Sequence, residues 1–348
     1  MSNRFVRHRA GRARLAITVL GVAAAAVLLG ACGSKQDVLS ANGSKPFTVM
    51  LDFFPNADHA PLYAAIAHGD FKSGGLDVKP ESPAQPAEPL KLLAAGKVDV
   101  AISYEPELLL ARDKGLKLVA IGALVQRPLT SIIALPSKHV ASVASLAGKR
   151  VGTAGIPYQK AELRTALEHA KVDPSKVREA DVGFDLVPAM LSDQVDATLG
   201  GFWNYEGVQL RLMHKQPVVI PVDRAGVPTY DELVLVVRAE EARSDGQDLR
   251  AFMQGLTRGA HEVRADPAAA AREIVRANPS LDEKLQLESI RQTLPATMPS
   301  EAGKPYGWQA PSAWATFGDW MFAHHLLRND PNAGLPPLSN EFLPGQGI

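Results

Sequence analysis

The chain has 348 residues, 46% of them apolar, with 37 Lys and Arg against 37 Asp and Glu and a single cysteine. Balanced charge argues against the basic surface that nucleic-acid backbones require, and one cysteine excludes a disulfide framework or a thiolate metal cluster. Stability must come from a hydrophobic core, and a chain of this length can build one large domain or two ordinary ones.

Arg4, Arg7, Arg9, Arg12 and Arg14 open the chain with no acid among them, and an apolar stretch follows over residues 15–29. Closed by Leu29, Gly30, Ala31 and Cys32, this layout reads as a secretory signal ending in a lipoprotein cleavage box. The apolar run falls short of the ~20 residues a spanning helix needs. Likeness to bacterial lipoproteins implies that residues 1–31 are a signal peptide and that Cys32 becomes the lipidated first residue. The mature chain would then sit on the extracytoplasmic face of a membrane, in the periplasm or cell-wall space. Cleavage leaves 32 Lys and Arg against 37 Asp and Glu, a mildly acidic surface. Residues 32–46, poor in large apolar side chains, read as a tether, so the fold should begin at Phe47.

From there β-rich runs at 47–51, 76–79, 98–102, 117–124, 131–135, 150–153, 197–200, 218–222 and 233–238 alternate with helical patterns at 61–68, 88–95, 105–114, 159–169 and 187–192. Such alternation predicts an α/β fold of βαβ units with mostly parallel sheets. From Asp245 onward the pattern is helical only, at 248–264, 267–277, 282–294 and 312–327. Residues 93–99 and 190–196 each read as a helix end, a polar turn and a Val-Asp strand start, as two similar lobes would give, although helix-turn-strand junctions resemble one another generally. The runs 129–135 and 233–238 are natural crossovers. The expected organisation is lobe 1 from 47–135 plus 236–348 and lobe 2 from 136–235, with a ligand cleft between them outside the strand ends. Trp314, Phe317, Trp320 and Met321 fall at helical spacing and should pack the final helix against lobe 1.

That cleft directs attention to the segments past strand ends. These hold Asp52, Phe53, Asn56 and His59; Tyr104; Gly155 and Tyr158; and Trp203, Asn204, Tyr205 and Glu206 behind a Gly200-Gly201 turn. The last group supplies flat faces, an amide and a carboxylate in one stretch. A flat nitrogen heterocycle bearing an amino group would use all of these, its ring stacking on aromatics and its N/NH2 edge meeting the two oxygens of a carboxylate. The same residues would equally plug a βα junction and cap the next helix.

The run from Leu51 through Asp52, Phe53, Phe54, Pro55, Asn56, Ala57, Asp58, His59 to Tyr63 resembles the opening signature of the NMT1/THI5-like periplasmic binding proteins. Gly69-Asp70-Phe71, Gly96-Lys97-Val98-Asp99, Leu146-Ala147-Gly148-Lys149 and Trp203-Asn204-Tyr205-Glu206 continue it in order. The resemblance implies a type II binding-protein fold of two α/β lobes joined by two crossover strands, and delivery of a small molecule to an ABC permease of the membrane. It is nearest the branch that binds thiamine pyrimidine precursors, although Phe53 stands where that branch often has Trp and offers a smaller stacking face. On this reading Glu206 holds the aminopyrimidine edge, Asn204 completes the hydrogen bonds, and Phe53, Tyr104, Trp203 and Tyr205 form aromatic walls. Asp52 and Asn56 orient a polar substituent, His59 contacts ligand or orients its loop, and N–H groups around Gly155 and Tyr158 accept an anion or carbonyl. The competing ligand class is an oxyanion such as an alkanesulfonate, taurine or nitrate, but no arginine stands in the strand-end motifs.

The same superfamily contains a pyrimidine synthase that works with pyridoxal phosphate and a cysteine-rich motif. This chain has no cysteine after Cys32, and it lacks a phosphate loop, a His-Glu-x-x-His or a Gly-x-Ser-x-Gly turn. It is therefore expected to be a monomeric binding protein rather than an enzyme, with no cofactor. His324 and His325 are adjacent and point apart on a helix, which argues against a metal site. If the cleavage box is read correctly, Cys32→Ala abolishes fatty-acid labelling in cells; equal labelling of mutant and parent contradicts it.

Overall fold

The computed structural model describes residues 43–346, so the signal segment, Cys32 and the tether as far as residue 42 lie outside the described residues. The runs β1 (Lys45–Met50), β2 (Leu76–Glu81), β3 (Val100–Ser103), β4 (Leu118–Val125) and, much later, β10 (Leu233–Arg238) join in the order β2-β1-β3-β10-β4. A second sheet joins β5 (Thr130–Ala134), β6 (Arg150–Thr153), β7 (Arg178–Asp181), β8 (Ala197–Phe202) and β9 (Val218–Pro221) in the order β7-β6-β8-β5-β9. Helices α1 (Ala60–His68), α2 (Asp70–Ser73), α3 (Pro89–Ala94) and α4 (Glu105–Asp113) connect the first set. Then α5 (Pro157–His169), α6 (Leu186–Leu191) and α7 (Glu206–Leu212) connect the second. The helices α8 (Ala239–Ser244), α9 (Gly246–Ala265), α10 (Pro267–Ala277), α11 (Glu283–Thr297) and α12 (Pro311–Ala323) follow β10.

The sheets are mixed rather than mostly parallel. β1 pairs in parallel with β2 and β3, and β6 with β7 and β8, as βαβ units do. β10 runs antiparallel to β3 and β4, and β5 antiparallel to β8 and β9. The reason is topological: β5 and β10 each arrive from the other sheet and enter from the end where the parallel strands finish. The chain leaves the first sheet after Val125, enters the second at Thr130 and returns at Leu233. The runs expected to be crossovers, β5 and β10, are the strands by which the chain enters each sheet; both are paired there, and the crossings lie at their starts.

Local sequence explains the exceptions. β7 is Arg178-Glu179-Ala180-Asp181, a charged edge strand whose polarity hid it from a search for apolar runs. β4 is an edge by sheet order yet buried along its whole length. Its outer rim is covered where Ala120 exchanges hydrogen bonds with Pro337 and Ser339, where the Ala123 N–H donates to the Gly307 carbonyl, and where the Gln126 N–H donates to the Ala296 carbonyl. The final helix packs on both lobes: Trp314 joins the core of the first sheet, whereas Phe317 and Met321 join that of the second. Expected against lobe 1 alone, it lies across both sheets because its buried stripe continues over two turns beyond Trp314.

The crossings are held by carboxyl groups. Glu232, fully buried, accepts the N–H groups of Leu129 and Thr130 at 2.6 and 2.7 Å and the Thr130 hydroxyl at 2.9 Å, clasping one crossing to the other. Beside it the Asp231 N–H donates to Glu105 Oε2 at 2.7 Å, and Trp314 Nε1 donates to Asp231 Oδ2 at 2.7 Å. Burial pushes Glu232 and Asp231 up to about 7, and pushes Glu105 well above the usual carboxylate range, with Asp231 adding to it.

Candidate functional site

β1 ends at Met50, and the turn that follows carries Asp52 into the space between the two sheets. Asp52 is 2% exposed, and its two oxygens accept from His59 Nε2 at 2.8 Å and from the Tyr104 hydroxyl at 2.9 Å. The Asn56 N–H donates to His59 Nδ1 at 3.2 Å, so the ring proton sits on Nε2 and faces the carboxylate. Asn56 itself caps the following turn: its Oδ1 accepts the Asp58 N–H at 2.8 Å, and its Nδ2 donates to the Phe54 carbonyl at 3.0 Å. One loop thereby fixes an acid, its imidazole and its own backbone.

From the second sheet, β8 ends at Phe202 and α7 begins at Glu206. Glu206 Oε2 accepts the Phe202 N–H at 2.7 Å, which folds the carboxyl back over the turn. Burial pushes its acid up to about 7, with Asp58 and Asp52 adding to the rise. Asp58 is held near 6, again by burial first, then by Asp52, against the opposing pull of His59 and hydrogen bonds from Asn204 and Thr293.

These groups open on one cleft of about 470 Å³, counting its mouth. Asp52, Phe53, Asn56, Tyr104, Tyr158, Tyr205 and Glu206 line it, and so do Gln159, Phe184, Phe202 and Ile156. The other residues expected there are placed elsewhere. His59 is fully buried behind Asp52. Asn204 turns away from the cleft, its Nδ2 donating to Asp58 Oδ1 at 2.6 Å and to Thr293 Oγ1 at 2.5 Å. Trp203 packs outward, its Nε1 donating to the Pro128 carbonyl at 3.0 Å beneath the Arg127 guanidinium. Gly155 sits against Asp181, and the N–H of its neighbour Ala154 is taken by Gln159 Oε1 at 2.9 Å. The backbone cradle expected for an anion is thus partly filled by a side chain.

The lining residues that the sequence does not single out include Phe184 and Gln159. Phe184 follows β7, the strand whose polarity concealed it; its ring meets Phe53 edge to face at 4.7 Å and so joins one lobe to the other across the mouth. The signal available was Gly183-Phe184 ahead of a helix. Gln159 lies two residues inside α5, where a polar side chain looks like solvent surface, yet it is 2% exposed.

The cleft is therefore aromatic and rich in hydrogen-bond acceptors, and among the described residues no Lys or Arg lines it. An anion entering it would be desolvated beside Asp52 and Glu206 with no cation to meet it. Among the described residues no group of three His, Cys, Asp or Glu is placed to hold a metal, and His324 stacks on Trp320 at 4.8 Å on the surface. No helix among the described residues is long and apolar enough to cross a membrane.

Residues 56–270 match the family described as NMT1/THI5 like. The chain belongs to the NMT1/THI5-like family. It is 36% identical to the formylaminopyrimidine-binding protein of Halalkalibacterium halodurans over 80% of this chain and 85% of that one. It is 25% identical to the 4-amino-5-hydroxymethyl-2-methylpyrimidine phosphate synthase of Legionella pneumophila over 71% of this chain and 78% of that one. The alkanesulfonate-binding protein of Xanthomonas axonopodis superposes with a TM-score of 0.65 at 15% identity, covering 82% of this chain and 95% of that one. The fold is accordingly the type II periplasmic-binding-protein fold, two α/β lobes with the cleft between them.

The raised acids give a signed expectation for stability. Asp58, held near 6, and Glu107, Glu206, Asp231 and Glu232, held near 7, bind protons in the folded state that they release near 4 when unfolded. The folded state then carries more protons between about 4 and 7, so stability falls as pH rises through that window. Thermal melts of the ligand-free protein should give a higher midpoint at pH 5.5 than at pH 8; the reverse order contradicts burial of these groups.

Proposed function

We propose that this chain is the solute-binding protein of an ABC importer, that it captures a thiamine pyrimidine precursor, and that it hands the ligand to a membrane permease. The mature protein acts as a monomer on the extracytoplasmic face, anchored through Cys32, with lobe 1 from 47–135 plus 236–348 and lobe 2 from 136–235 as the expected units around the clasped crossings. The observation that carries this reading is Glu206, a carboxyl at about 7 in a cleft of aromatic rings that no cation lines among the described residues. The formylaminopyrimidine-binding relative supports the same class of ligand. Binding rather than synthesis is favoured because the chain has no cysteine after Cys32 to form the cysteine-rich motif that the synthase branch uses.

The chemistry follows from donor and acceptor counting. A neutral 4-aminopyrimidine edge presents one N–H donor and one ring-nitrogen acceptor, so it pairs with a carboxyl group only when the two share a single proton. Near neutrality Glu206 brings that proton: its O–H donates to the ring nitrogen, and its other oxygen accepts the amino N–H beside the Phe202 amide. Phe53, Tyr104, Tyr158 and Tyr205 supply faces for the ring. Asp52, held by His59 and Tyr104, is an acceptor for a donor substituent.

Calorimetric titration with 4-amino-5-hydroxymethyl-2-methylpyrimidine, its formylamino analogue and taurine tests the class. Both pyrimidines should bind and taurine should not; binding of taurine alone overturns the assignment. The proton count makes a second test. Above pH 7 the complex must take up a proton, so pyrimidine affinity should fall about tenfold per pH unit. In Glu206→Gln the amide matches the neutral edge without titrating, and that alkaline limb should flatten. A limb unchanged in Glu206→Gln assigns the proton to another group.

A further inference from the structure

Gln159 offers the cleft an amide N–H donor. Its side chain is buried, and Oε1 accepts the Ala154 N–H at 2.9 Å, which fixes the orientation of the carboxamide. Nε2 is thereby turned beside Gly200, where φ is +114° and a Cβ would fall 2.5 Å from that nitrogen. Glycine at position 200 leaves Nε2 uncovered, facing the lining of the cleft. Among the described residues no acceptor bonds Nε2, and the atom is not sealed from the cleft.

The neighbouring donors are engaged. The Phe202 N–H is held by Glu206, the Ala154 N–H by Gln159 itself and the Tyr104 hydroxyl by Asp52, while the Tyr205 hydroxyl is drawn toward Gln286, whose Nε2 donates to its oxygen at 3.2 Å. Asp52 and Glu206 meet a ligand's donor groups. A ligand oxygen that can only accept finds at Gln159 a partner whose orientation the Ala154 N–H already fixes.

We propose that Gln159 is a specificity-determining residue whose Nε2 donates to an acceptor oxygen on the ligand, the carbonyl of an amide-type substituent, and so selects a formylated pyrimidine over the corresponding free amine. This rests on the pyrimidine reading above. The amine at neutral pH is an ammonium group, all donors and no acceptor, and meets Nε2 with matching rather than complementary polarity.

Gln159→Glu tests this directly. The glutamate retains an oxygen for the Ala154 N–H but replaces the cleft-facing NH2 with an acceptor. Calorimetry of the full mature chain should use formylaminopyrimidine and its deformylated amine. The parent should prefer the formyl compound by about tenfold or more, and Gln159→Glu should lose roughly 10-fold to 100-fold for it while binding the amine more tightly, since a buried donor-acceptor pair is exchanged for an acceptor-acceptor clash. Gln159→Met removes both functions and should weaken the formyl compound without improving the amine, separating lost recognition from altered charge. Retention of formyl affinity within twofold in Gln159→Glu, or equal weakening of both ligands, overturns the assignment. If the parent binds neither pyrimidine, the proposed function fails and the role of Gln159 falls with it; if it binds both but Gln159→Glu leaves their ratio unchanged, only the role of Gln159 fails.

Discussion

Carboxyl groups withdrawn from water without basic partners organise this molecule. Asp52, Asp58, Glu105, Glu107, Glu162, Glu206, Asp231 and Glu232 are all buried; among the described residues none of them pairs with a Lys or Arg, and Asp52 alone meets an imidazole, the Nε2–H of His59. Such groups are stable only where N–H and O–H donors surround them or where they keep a proton. Both solutions are used. Glu232 gathers two backbone amides and a hydroxyl and joins the crossings, whereas Glu162 gathers no such set of donors, and burial, with Glu232 adding, drives it well above the carboxylate range. The crossings and the cleft are thus built from one kind of group, and the cleft inherits an acceptor-rich lining with no cation among the described residues.

Much of the fold is legible in the sequence because the strands are short apolar runs separated by helices with clear starts. β6 and β10 fall at the expected residues, and the family motifs appear in order. What periodicity does not carry is direction. Trp203, Asn204, Tyr205 and Glu206 are consecutive, but the turn from β8 into α7 points them three ways: Trp203 out over Pro128, Asn204 into Asp58, and Tyr205 and Glu206 into the cleft. Gln159 and Phe184 are hard to see for the opposite reason. One is a polar residue in a helix, which carries no local sign of burial, and the other follows a charged edge strand, where Gly183-Phe184 ahead of a helix is a weak sign.

A shared fold leaves the ligand open. The alkanesulfonate-binding neighbour has the same architecture at 15% identity, and architecture alone says nothing of what fills the cleft. The lining decides. An oxyanion needs cations or free N–H groups, whereas here Gln159 occupies the Ala154 amide, Glu206 occupies the Phe202 amide, and two acids face the space. An amino-heterocycle satisfies those acceptors and presents its face to the aromatic rings.

The central claim is that Glu206 reads the amino edge of a ring held between aromatic side chains of both lobes. A crystal structure of the mature chain with formylaminopyrimidine bound tests it most directly. The account predicts the Glu206 carboxyl within hydrogen-bond distance of both the amino group and the adjacent ring nitrogen, with rings from the two lobes flanking the pyrimidine. A ligand bound outside this cleft, or one whose amino edge faces away from Glu206, would contradict it.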